Sequence, residues 1–255
     1  MKKTAWLRWV ACGVFACVFL YSGWQLLSYY TQQKTAQGEY ESLQAAVSTA
    51  APTTTVTGND DAPAPSRPTG PIAVNFDSVR ATAPDAVGWL YIPDTPINYP
   101  VVQGADNDAY IDRLPNGKQN KAGSLFADYR NLSPQDANYI IYGHSMKTGA
   151  MFGMLEHYAK QAYYDAHPLA YYLTPEAVYI LHIYAGYTTD ASSEAYTLSH
   201  TAVSLAEYMA QAKKQSDFRT EVPFYPGDTV ITLSTCAYDY EDARYVLLCI
   251  PERVE

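Results

Sequence analysis

The longest apolar block lies at the start of the chain. Trp9 to Leu27 carries no charge, and its bulk reads VACGVFACVFLYSGWQLL. At ~1.5 Å per helical residue, such a run is about long enough to cross a hydrocarbon core of ~30 Å. Lys2, Lys3 and Arg8 precede it, and no Lys or Arg follows until Lys34. The positive-inside rule then keeps the N-terminus in the cytoplasm and sends the rest outside. Trp6, Trp9, Trp24, Tyr29 and Tyr30 fall near its two ends, where amphipathic rings prefer the membrane interface. A cleaved signal peptide is the rival reading. The run is long for that, however, and Tyr21, Trp24 and Gln25 make a poor small-residue cleavage site. Residues 1–30 are therefore expected to be a cytoplasmic start and a retained transmembrane anchor.

Polar helix formers continue through 31–47 and predict a helical stalk. Residues 48–71 (STAAPTTTVTGNDDAPAPSRPTGP) have almost no large apolar side chain. Such a segment buries too little surface to offset its ordering entropy, so a disordered linker is expected. Stalk and linker together occupy 31–71, which leaves 72–255 as the folded domain.

Within that domain, apolar runs alternate with turn signals. VGWLYIP (87–93), INYPVVQG (97–104), AGSLFADY (122–129) and NYIIYGH (138–144) read as strands. So do AVYILHIYAGYT (177–188), DTVITLSTC (228–236) and ARYVLLCI (243–250). Helices are expected at 76–83, near 151–158 and at 201–215. In the last, Val203, Ala206, Met209 and Ala210 share a face flanked by Leu205. Strands do not alternate regularly with helices, which disfavours a parallel α/β sheet and favours a mainly β barrel or sandwich.

Composition changes this picture little. There are 24 Tyr against 7 Phe among 255 residues, which leans further towards β structure. The formal net charge of -9 makes nucleic acid an unsuitable partner. Two of the four cysteines, Cys12 and Cys17, fall in the apolar run. The remaining pair, Cys236 and Cys249, is no disulfide framework, and no C-x-x-C pair suggests a thiolate metal site.

Candidate chemistry gathers at strand ends. Cys236 closes DTVITLSTC, on the same face as Val230, Thr232 and Ser234, and polar AYDYEDA follows. A rim cysteine has the access that a reactive thiolate needs, given a cationic neighbour. If 228–236 and 243–250 form a hairpin, Arg244 faces Cys236 across its mouth. The alternative for Arg244 is an ion pair with Asp239, Glu241 or Asp242. Of the five histidines, His144 also ends a strand, after Tyr142 and Gly143. His182 interrupts an apolar strand and reads as a satisfied core or barrel-facing residue. Cys249 alternates with Leu247 and Tyr245 and reads as a small buried hydrophobe.

Taken together, TLSTC (232–236), YGHSMKTGAMFG (142–153), Arg244 and VGWLYIPDTPINYPVVQGADNDAYI (87–111) resemble the class B sortases. The likeness covers residues 74–250. Ser145 departs from the Asn often found after the histidine in that class. The resemblance implies a closed eight-stranded β-barrel with peripheral helices and a cysteine transpeptidase. Cys236 would attack the Thr carbonyl of a C-terminal sorting signal on a secreted surface protein. His144 would serve as acid and base, and Arg244 would hold the oxyanion. Ser234 and Tyr142 are candidates for the substrate groove. The acceptor would be an amine of a peptidoglycan precursor. A pilin-joining sortase and a membrane-tethered cysteine protease are the alternatives. This chemistry needs no metal or organic cofactor.

Overall fold

The computed structural model describes residues 2–49, 70–236 and 242–254. Helix α1 (Lys2–Gln44) leads to short strands β1 (Val47–Thr49) and β2 (Ile72–Val74), then helix α2 (Phe76–Thr82). Strands β3 (Ala86–Tyr91), β4 (Asn98–Val102), β5 (Leu125–Ala127) and β6 (Asn138–Tyr142) follow. A 3-10 turn (Leu155–Ala159), helix α3 (Gln161–Ala166), β7 (Leu169–Leu173) and the long β8 (Val178–Asp190) come next. A second 3-10 turn (Glu194–Tyr196) and helix α4 (Ala202–Gln215) precede β9 (Val230–Cys236) and β10 (Ala243–Val254). Eight strands close a barrel in the order β10-β8-β7-β3-β4-β5-β6-β9. Two of its ladders, β4 with β5 and β6 with β9, are parallel.

The period of two along β9 and β10 explains how the barrel is packed. Ile231, Leu233, Tyr245, Leu247 and Cys249 join Trp89 and Tyr172 in the interior. The alternate residues Val230, Val246 and Leu248 form a second cluster beneath α4. Cys249 is fully buried, and burial pushes its thiol well up from the ordinary cysteine range. His182 faces outward instead of into the barrel. Its Nε2 lies 2.8 Å from Glu252 Oε2 on the neighbouring strand.

Three expected helices differ in detail. Asn75 caps α2 by accepting from Ser78 N, so that helix starts at Phe76. Residues 151–154 are not helical, because Met151 adopts a left-handed φ of 52°. In α4, capped by Thr201 and Ser204, the buried stripe is Leu205, Tyr208, Met209 and Ala212. Val203 is 68% exposed. Tyr208 carries more apolar area than Ala206 or Ala210, so the helix turns to bury it. One barrel strand, β7, is not among those the sequence predicts, and neither are the short β1 and β2.

The folded unit also begins earlier than residue 72. Ala36, Tyr40 and Leu43 of α1 are buried in the main cluster, so residues 32–44 lie against the barrel and do not stand clear as a stalk. Gln44 Nε2 donates to the Asn98 carbonyl at 2.8 Å, and β1 pairs with β2. Residues 50–69, most of the expected linker, lie outside the described residues. Upstream, Cys12–Gln44 includes a stretch long and apolar enough to cross a membrane, and its side chains are exposed through the apolar window.

Candidate active site

Register assembles the site. In the antiparallel β9–β10 ladder, Cys236 is paired with Arg244 and Ser234 with Val246. Directly opposed residues share a sheet face, so Arg244 lies on the face of the Ser234–Cys236 row, as the hairpin predicts. On the other side of β9, the parallel ladder pairs Tyr142 with Ser234. In that last pair, Gly143 N donates to the Ser234 carbonyl at 3.1 Å. His144 lies two residues beyond Tyr142, past the last pair of that ladder. The β9–β10 ladder thus sets Arg244 opposite Cys236 at one rim, and His144 follows the end of β6. The thiol exposure expected for Cys236, and the loop carboxylates Asp239 and Glu241 weighed as partners of Arg244, lie outside the described residues.

A cavity of ≈ 440 Å³ opens at this rim, bordered by Tyr142, His144, Ser234 and Arg244. Gly143 sits in its wall. The glycine is required less for a turn than for close packing, since a Cβ there would come within 2.8 Å of Phe152 and overlap Leu125. His144 is half-buried, and its Nε2 lies 2.7 Å from the Ile111 carbonyl oxygen. A carbonyl only accepts, so Nε2 carries a proton in either charge state of the ring, and Nδ1 is the nitrogen whose proton is exchangeable. Half-buried Arg244 donates from Nη1 to the Ala243 carbonyl at 3.0 Å. Ser234 is buried, with its Oγ 2.8 Å from the Tyr196 hydroxyl. The Tyr142 and Tyr196 rings are parallel, with centroids 6.2 Å apart.

Behind Tyr142 lies a charged support that sequence reasoning missed. The buried Asp128 receives both prongs of the Arg130 guanidinium at 2.8 Å each. It also accepts from Arg130 N and Asn107 Nδ2 at 3.0 Å, and from the Tyr142 hydroxyl at 3.0 Å. Burial by itself raises the Asp128 carboxyl, but these donors, led by Arg130, outweigh it and hold it at about 2. Burial, reinforced by Asp128, pushes the Tyr142 phenol well up. Arg130, Asn107 and Tyr196 also border the cavity. Only the ADYRN run (127–131), with opposite charges two apart, hints at this cluster in the sequence. Helix α4, which lies between two strands in the sequence as an insertion that could shape a site, packs on β8 and leaves that work to the 3-10 turn before it.

Comparisons with known proteins agree with one another. The Sortase domain model matches residues 90–252. Sortase B of Listeria monocytogenes serovar 1/2a (strain ATCC BAA-679 / EGD-e) is 34% identical over 236 residues, covering 90% of each protein. The Staphylococcus aureus sortase B-substrate complex is similar in structure, with a TM-score of 0.67 at 28% identity over 71% of this chain and 85% of that one. A sortase B complexed with triglycine gives 0.66 at 29% identity, over 71% of this chain and 86% of that one.

Proposed function

The chain belongs to the sortase family as a class B cysteine transpeptidase, and from this we propose that it cleaves the C-terminal sorting signal of secreted surface proteins after Thr and joins them to a cell-wall precursor amine. Cys236 is the nucleophile, His144 the acid and base, and Arg244 the oxyanion partner. The observation that supports this reading is the pairing of Arg244 with Cys236 across β9 and β10, together with a cavity that Arg244, His144 and Ser234 line.

The Cys236 thiol gives its proton to His144 Nδ1, and the thiolate attacks the Thr carbonyl carbon, forming a C–S bond and a tetrahedral oxyanion that Arg244 holds. Collapse breaks the C–N bond, and His144 Nδ1–H protonates the departing amine. The thioester remains. An incoming amine then attacks it and gives its proton to Nδ1, and the new amide forms as the thiolate leaves. Nε2–H stays on Ile111 throughout, so the ring cycles one proton without turning. Ser234 and Tyr142 line the groove for the sorting peptide. Support for an amine acceptor comes from the related sortase B complexed with triglycine. The anchor runs through the membrane with its N-terminus in the cytoplasm, which raises the effective concentration of two substrates that also emerge from the membrane.

The test is a cleavage assay on the full chain in detergent micelles, with quenched-fluorescence peptides bearing different sorting signals. Expected are cleavage after Thr by the wild type, an amine adduct by mass spectrometry, and none of either with Cys236→Ala or His144→Ala. Turnover by either variant overturns its assignment. Hydrolysis with no adduct at high amine concentration makes the enzyme a protease.

A further inference from the structure

The His144 seat is built by a segment that reaches back to the N-terminal helix. Ile111, whose carbonyl holds Nε2, belongs to the loop between β4 and β5. That loop folds on itself: Asn120 N donates to the Asp112 carbonyl, Ser124 N to the Tyr110 carbonyl and Ser124 Oγ to the Arg113 carbonyl. Gly123 sits at its tightest point with a φ of +63°. A Cβ on Gly123 would overlap the Ile111 carbonyl oxygen and come within 2.9 Å of His144 Cδ2. The Gly123 backbone is therefore the surface against which both partners of the His144 hydrogen bond rest.

Helix α1 fastens this surface from behind. The buried Tyr40 hydroxyl donates to the Gly123 carbonyl at 2.6 Å. Its ring is held edge-on by Tyr99, with centroids 5.0 Å apart. Two turns earlier, the Gln32 carbonyl accepts from Asn120 Nδ2 at 2.9 Å, and its side-chain oxygen accepts from Lys121 N at 3.3 Å. Three bonds thus run from one face of α1 to residues 120–123, and none of them touches the cavity lining.

We propose that Tyr40 and Gly123 are positioning residues for His144: α1 clamps the loop through the Gly123 carbonyl, and the loop in turn fixes the Ile111 carbonyl that keeps the proton on Nε2 and Nδ1 available. This rests on His144 being the acid and base. It follows that the end of the helix carrying the apolar run is part of the catalytic scaffold, and that a protein cut at residue 72 lacks the clamp.

The experiment uses the full chain in lipid nanodiscs, with 15N-labelled histidine. Tyr40→Phe deletes the bond to Gly123 and keeps the ring against Tyr99. Gln44→Ala removes a different α1–barrel bond, the one to Asn98, and serves as the control. Long-range 1H–15N spectra, with His144 assigned by His144→Gln, report its tautomer. In the wild type and in Gln44→Ala, His144 is expected as the Nε2–H form, with kcat unchanged by the control substitution. In Tyr40→Phe, the Nδ1–H form appears, kcat falls about tenfold, and KM for the sorting peptide stays within twofold. Gly123→Ala lowers kcat by more than a hundredfold. Tyr40→Phe with wild-type kcat and spectrum overturns the proposal. Equal losses in Tyr40→Phe and Gln44→Ala also overturn it, because helix docking in general would then suffice. An active His144→Ala would sink the acid–base assignment instead, and the tautomer spectra would still judge the clamp.

Discussion

Asp128→Asn removes one negative charge from beneath the candidate site while nearly preserving shape. In the folded protein the carboxyl is held at about 2, against an ordinary value of 3.8. A gap of nearly two units, at ~1.36 kcal/mol per unit, amounts to roughly 2.5 kcal/mol of stability at neutral pH. The Arg130 side chain is 47% exposed, so solvent screens part of this and about 1–2 kcal/mol should remain. The sign follows from the depressed value. The folded state holds the charge more tightly than the unfolded chain does, so the stabilisation is complete above about pH 4. It falls to around half near pH 3 and is lost as the pH drops through about 2. Urea unfolding in non-ionic detergent measures it, with Trp89 as the fluorophore buried in the barrel and Trp6, Trp9 and Trp24 changed to Phe in both proteins. Asp128→Asn should be less stable than its parent by about 1–2 kcal/mol at pH 7, with the gap narrowing between pH 4 and pH 3. Equal stability at pH 7, or a gap that stays constant down to pH 3, would refute the charged-cluster account.

Arg244→Ala should lower kcat by about 10²–10³, the usual cost of an oxyanion donor, with the melting temperature little changed; activity within threefold of wild type would remove it from that role. Cys249→Ser should keep its turnover but lose about 1–3 kcal/mol of stability, because it places an unpaired hydroxyl in the apolar barrel interior. A folded but inactive Cys249→Ser would mean the wrong thiol has been assigned. Gly143→Ala should cost about 1–3 kcal/mol through overpacking against Leu125 and Phe152, and chemical denaturation as stable as wild type would show that the wall yields.

Local signals carry the barrel a long way. Apolar, β-rich runs bounded by turn signals mark seven of its eight strands. β7 escapes because its residues 169–173, LAYYL, show no polar alternation: Tyr171 and Tyr172 lie on opposite faces although both are tyrosines. The face of α4 expected from sequence is about two residues out of phase. The expected face took in Val203, Ala206, Met209 and Ala210 with Leu205 at its flank, whereas burial falls on Leu205, Tyr208, Met209 and Ala212, so Met209 is shared and Tyr208 displaces the alanines. Cys236 opposite Arg244 is legible because a hairpin needs only nearby residues. His144 can be singled out as a strand end, but its place in the cavity with Ser234 and Arg244 follows from a parallel ladder joining strands about ninety residues apart in sequence, and no local pattern encodes that pairing.

The parts of the site hidden from sequence share a cause. Asp128 with Arg130, Ile111 with His144, and Tyr40 with Gly123 act through backbone carbonyls or through charges buried behind the cavity, where residue type says little about position. Tyr40 makes the point most sharply. Read locally, it is one aromatic in a polar, helix-forming stretch, which suits a stalk that only spaces a domain from a membrane. Its hydroxyl reaches a carbonyl 83 positions away, and that carbonyl belongs to the glycine on which the His144 seat rests. From Leu27 to Tyr40 the helix rises about 20 Å at ~1.5 Å per residue. One continuous helix therefore carries both the apolar run and the hydroxyl bonded to the Gly123 carbonyl. A flexible tether would serve the proposed anchor equally well, so on the proposed clamp the continuity of α1 follows from what its last turns hold in place.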